Sequence, residues 1–212
     1  MHQTFWFRLN VPKNQDAEEV QESAVATFDD YINQYGDENN WHQVEMLLLQ
    51  DGTVFQLCKA DDYRGRAGCA EHFLALPQEE RWKKALHAAM VAVALDLGIG
   101  GSSSVWFGQP DYATKQVLEQ TVEQVQVAIE KEVPRKIARL YQDLVDGIAL
   151  DSWPGQGDYL RRTMTRTFEL YHGAVFKPFA EPESPYDYPC FDLSSDETGD
   201  RQAALLAVDI HT

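Results

Sequence analysis

Residues 4–11, TFWFRLNV, alternate strictly, with Phe5, Phe7, Leu9 and Val11 on one side and Trp6, Arg8 and Asn10 on the other. That period of two predicts a strand with a buried face, ended by Pro12. Asp16 is placed to cap a following helix, and Glu18 and Glu19 suit the positive end of its dipole. Val20, Ala24, Phe28, Tyr31 and Ile32 keep the 3.6-residue stripe of that helix, and Gly36 stops it.

The segment 41–60, WHQVEMLLLQDGTVFQLCKA, carries the sharpest local pattern. Asp51-Gly52 is the pair favoured by a two-residue type I′ hairpin turn, which needs positive φ at both positions. Counting outward, Gln50 faces Thr53, Leu48 faces Phe55 and Met46 faces Leu57. Val44 completes that apolar side, while Glu45, Leu47, Leu49, Val54, Gln56 and Cys58 form a mixed one. Pro77 suits a helix start, and Trp82, Leu86, Ala89, Met90, Val93 and Leu97 line the helix up to Gly98. Its other side, Ala85, Ala88 and Ala92, is small and apolar, so it is expected to be buried all round. SSVWF (103–107) is read as a fourth strand.

The resulting order predicts an α+β fold of ferredoxin-like type, a βαββαβ sandwich with two helices on one sheet face, over residues 1–109. A C-terminal helical extension follows over 110–177. One stripe is Val117, Leu118, Val122, Val125 and Ile129; after a kink or break at Pro134 comes a second of Ile137, Leu140, Tyr141, Leu144, Val145 and Ile148. A last helix carries Tyr159, Leu160, Met164, Phe168 and Tyr171. Residues 178–212 read as an acidic, Pro- and Tyr-containing extended arm, in which ALLAVDI is apolar enough to dock as a short strand or helix.

Charge changes the picture most. The 212 residues include 34 acids and 18 bases, a net charge of −16, which repels nucleic-acid phosphates and anionic membranes. Residues 131–177 alone are mildly basic, six acids against eight bases, and they include Arg135, Lys136, Arg139, Arg161, Arg162 and Arg166. These can bind an acidic group or pair locally, with acids such as Asp158 or with the tail. No stretch has the length and hydropathy of a membrane span or a secretory signal. Three cysteines at irregular spacing make no disulfide framework, so a cytoplasmic location is expected.

Chemistry-bearing residues concentrate between 61 and 72: Asp61, Asp62, Arg64, Arg66, Cys69, Glu71 and His72. Asp61, Asp62 or His72 supplies an acid–base group and Arg64 or Arg66 an anion clamp, the ingredients of a small hydrolase or transferase. A solvated loop with locally paired charges has the same composition. Cys58, Cys69 and His72 lack the second pair a structural zinc site needs, so no metal is expected. GIGGSSS (98–104) follows a helix and precedes a strand, the reverse of a phosphate loop, and reads as a helix stop. No cofactor motif is found.

The leading expectation is therefore an acidic, non-catalytic binding protein. It docks a basic protein partner, or inhibits a nucleic-acid-binding protein by imitating its phosphates, and binds no nucleic acid directly. Trp6, Leu47, Leu49 and Val54 on the mixed sheet face, with Arg161, Arg162 and Arg166, are its candidate contacts. If the C-terminal helices leave that face open, it is a partner or homodimer interface.

Overall fold

The alternating segment at the start of the chain forms β1 (His2–Pro12), whose two sides meet two different helical layers. The computed structural model describes residues 2–35, 41–58, 69–99, 119–150, 155–176, 179, 189–194 and 199–211. Among these, β1 is followed by α1 (Ala17–Tyr35), the hairpin β2 (Trp41–Leu49) and β3 (Val54–Gln56), then α2 (Cys69–Leu74) and α3 (Gln78–Asp96). The long helices α4 (Val122–Leu150) and α5 (Gln156–Phe176) come next, and the strands β4 (Cys190–Asp192) and β5 (Arg201–His211) end the series.

The five strands make one mixed sheet in the order β3-β2-β5-β1-β4. β5 runs antiparallel to both β1 and β2, and β4 runs parallel to β1. The expected α+β class is present, but this order does not confirm the ferredoxin-like sandwich. The strand lying between β1 and β2 is the eleven-residue β5, which contains the ALLAVDI stretch expected to dock as a short strand or helix but extends beyond it and takes a central place in the sheet. The expected strand at 103–107 lies outside the described residues.

Both sheet faces are covered. Phe7 points to α1, with its ring 5.0 Å from Phe28 and 5.4 Å from Tyr31, and stacks 5.4 Å from Phe191 of β4. Its neighbour Trp6 points the opposite way and meets Phe73 of α2 edge-on at 5.8 Å. On that second side the Cys190 thiol donates to the Ala89 carbonyl of α3 at 3.3 Å. Covering on two sides explains why β5 is apolar without alternation, with residues 204–208 (ALLAV) all buried. Burying a Phe or Leu contributes roughly 1.5–3 kcal/mol, so the sheet centre is the main source of stability.

The hairpin turns at Asp51-Gly52, but through a loop one residue longer than the two-residue count. Leu49 N–H donates to the Thr53 carbonyl and Gly52 N–H to the Leu49 carbonyl, both at 2.9 Å, enclosing three residues. Only Gly52 takes positive φ, 86°, while Asp51 accepts the Thr53 N–H on its carboxylate at 2.8 Å. The pairs are therefore Leu48–Val54, Leu47–Phe55 and Met46–Gln56. A bulge between Val44 and Met46 also reverses the phase of β2. In consequence Val44, Leu47 and Leu49 share the α1 side, while Met46 and Leu48 share the side of Trp6. Register plus bulge redistributes the two faces expected from simple alternation.

Gly98 (φ 74°) ends α3 in a Schellman arrangement, with Ile99 N–H on the Ala94 carbonyl and Gly98 N–H on that of Leu95, both 2.8 Å. The helix-stop reading of the glycines after α3 holds at this residue. Thr121 and Gln124 cap α4 reciprocally, side chain to backbone each way, at 3.3 and 2.8 Å. α4 then runs as one helix through Pro134, so of the expected kink or break the break does not occur. Pro134 sits on the exposed side, where water can hydrate the carbonyl left without a partner.

Candidate binding surface

α1 is built to lie across the sheet with one side out. Val20, Ala24, Phe28 and Tyr31 recur at helical spacing and are buried. The same spacing sends Glu18, Glu19, Glu22, Asp29 and Asp30 to solvent, and all five are exposed. No Lys or Arg occurs in the helix to neutralise them. Asp16 anchors the start by accepting the N–H groups of Glu18 and Glu19, each at 3.0 Å. Glu18, Glu19 and Glu22 cluster at the start of the helix and Asp29 and Asp30 lie about 10 Å further along it, so the outer side carries two groups of carboxylates within about 18 Å.

The loop side of the sheet was the other candidate. Asp61, Asp62, Arg64 and Arg66 lie outside the described residues. His72 falls on the exposed side of α2, its ring edge-on to Phe73 at 5.5 Å. Cys58 and Cys69 are drawn towards Glu45, a buried residue of β2. The Cys58 thiol reaches the Glu45 carbonyl at 3.9 Å. Burial first, then the nearby Glu45 and Cys58, push the Cys69 thiol far above its usual range. Cys69 thus stays protonated near neutrality, which makes it a poor nucleophile and a costly metal ligand. Burial, with Asp96 adding to it, likewise raises the Cys190 thiol. Among the described residues no three His, Cys, Asp or Glu side chains are arranged to hold a metal ion.

Trp6, Leu47 and Leu49 are buried and Val54 is half-buried, so they present no open surface for a partner. The helices on both sides are the reason. The basic residues divide. Arg161 pairs with Asp158 at 3.1 Å and Arg135 with Glu132 at 2.9 Å, both exposed local pairs worth little. Arg162 is exposed and its Nε reaches the Asp158 carbonyl at 3.4 Å. Arg166 belongs to α5. Lys136 points inward, donating to the Leu97 carbonyl at 2.6 Å, a cation on the negative end of α3.

One residue that composition did not single out holds two elements together. Arg81 of α3 donates to the carbonyls of Gly52, Leu76 and Leu74 at 2.9, 3.1 and 3.3 Å. It clamps the hairpin loop to the α2–α3 turn. The only sequence signal is an arginine in the first turns of a helix, where the dipole disfavours a cation.

No described helix is long and apolar enough to cross a membrane. Comparison of the chain with protein-family models, with curated proteins and with solved structures returns no match.

Proposed function

We propose that this protein is a non-catalytic binding module that docks a basic protein partner on the outer side of α1. The observation that carries the reading is the set of five exposed carboxylates on the outer side of α1, a helix that contains no Lys or Arg. A surface that reads phosphates through lysine and arginine accepts such a set by the same Coulombic complementarity. The expected target is therefore a nucleic-acid-binding protein, held off its nucleic acid while docked. Electrostatic docking of this kind accelerates association and loses that advantage as salt rises.

The test is capture from native extract by the wild-type chain and by a variant with Glu18, Glu19 and Glu22 changed to Gln and Asp29 and Asp30 to Asn. Circular dichroism confirms that the variant keeps its helices. Basic proteins should be retained by the wild type at low salt and lost by the variant. Equal capture by both chains, or capture of no basic protein, would overturn the proposal.

A further inference from the structure

α4 carries two apolar stripes where a surface helix needs one. Val125, Ile129, Val133 and Leu144 are buried against the body of the molecule. Val127, Pro134, Ala138, Tyr141 and Val145 form a second row, at helical spacings of 7, 4, 3 and 4, and all five are exposed. Val127 is 60%, Tyr141 58% and Val145 44% open to solvent. These positions fall within an arc of about 60° on a helix of 3.6 residues per turn, over about 27 Å of its length. The row is interrupted between Val127 and Pro134, where Glu130 and Lys131 are exposed, and is continuous from Pro134 to Val145.

Charge says what can dock. α4 and α5 together contain seven acids and seven bases, so the entire net charge of −16 belongs to the rest of the chain. Two copies repel one another through every other part of their surface, and this hairpin is where they can meet without opposing like charges. The row is also close to a palindrome. When two α4 helices cross nearly antiparallel about their own midpoints near residue 136, Val127 meets Val145 and Pro134 meets Ala138. This is the self-complementarity that a two-fold interface demands. Lys136, which this register would set against its own copy, is turned inward to the Leu97 carbonyl, and Arg135, near its own copy at the centre, is paired with Glu132 at 2.9 Å.

We infer that the exposed row of α4 is the contact between two copies of this chain in a symmetric, reversible dimer. A helix face about 10 Å wide and 27 Å long offers roughly 300 Å² per copy, below the usual size of a stable interface. The dimer is accordingly weak, with a dissociation constant on the order of 10–100 µM.

Sedimentation equilibrium of the full chain tests this, from about 5 to about 500 µM and at about 50 and about 500 mM NaCl. The mass should rise towards about 48 kDa, twice the 24.1 kDa of one chain. Because salt screens the repulsion between the acidic bodies, the dimer should tighten at high salt, opposite to docking on α1. Tyr141→Glu and, separately, Val145→Lys should weaken it at least about tenfold with an unchanged melting temperature. A chain that stays monomeric throughout, or a dimer indifferent to both substitutions, would overturn the inference. Neither result bears on the capture experiment with the α1 variant.

Discussion

Replacing Gly52 by Ala tests how the hairpin is joined to the helical layer. At φ 86° any L side chain is strained, at a cost of about 1–2 kcal/mol. A Cβ there would collide with the Gln78 carbonyl oxygen, which is backbone and has no rotamer to yield. The loop must then lift from the start of α3. That breaks the Arg81 bond to the Gly52 carbonyl, worth about 1.5–3 kcal/mol as a hydrogen bond to a charged group, and loosens the exposed Gln78 contact to Asp51. Gly52→Ala should therefore destabilise by about 3–5 kcal/mol. At about 2–4 °C per kcal/mol for a chain of this size, the melting temperature should fall by roughly 6–20 °C. Urea unfolding followed by circular dichroism measures the difference. Asp51→Gly is the companion. In a two-residue type I′ turn it would relieve strain at a second positive φ. In the observed loop it removes the carboxylate bond to Thr53 N–H and should cost about 0.5–1.5 kcal/mol. A Gly52→Ala protein within about 1 kcal/mol of wild type would refute the docked three-residue loop.

Two further outcomes follow from the same packing. Deleting residues 200–212 removes the strand that bridges β1 and β2, so the product should show no cooperative melting transition; a sharp transition would mean the sheet closes without β5. His87 is held below its ordinary pKa of 6.5, mainly by burial and slightly by Lys84, against the hydrogen bond its ring donates to the Gln120 backbone carbonyl. The unfolded chain then takes up a proton more readily than the folded one, so this contribution to stability is present above pH 6.5 and is lost as pH falls towards the lower folded pKa. His87→Gln should flatten the fall of melting temperature between pH 7 and pH 5 (approximate limits of that window), and an identical pH profile would remove the assignment.

Much of the layer structure was legible because its signals are local. Alternation at Phe5–Val11, the cap at Asp16, the stripe through Phe28 and the stop at Gly98 each depend on neighbours within a turn or two, and each formed as read. The sheet order was not legible. Residues 201–211 contain no turn, cap or alternation to show that they pair with strands nearly 200 and 160 residues earlier, and a strand buried on both faces has no period of two to detect. The β2 faces were misassigned because a bulge at Glu45 and a one-residue change in the loop are invisible to alternation. At Pro134 the local pattern left a kink and a break open, and the break did not occur because a proline on the wet side of a long helix costs it one bond rather than its continuity. The candidate surface was half legible. The acidity was plain in composition, but only the packing of Val20, Ala24, Phe28 and Tyr31 shows that five of the acids share one outward side.

The carboxylates of α1 are proposed to steer a basic partner into contact. Stopped-flow association of a captured partner with wild type, and with the five-site neutral variant, addresses this directly. For the wild type the association rate constant should drop at least about tenfold between roughly 50 and 500 mM NaCl. For the variant it should start low and barely change. Identical salt dependence in the two proteins would contradict the account.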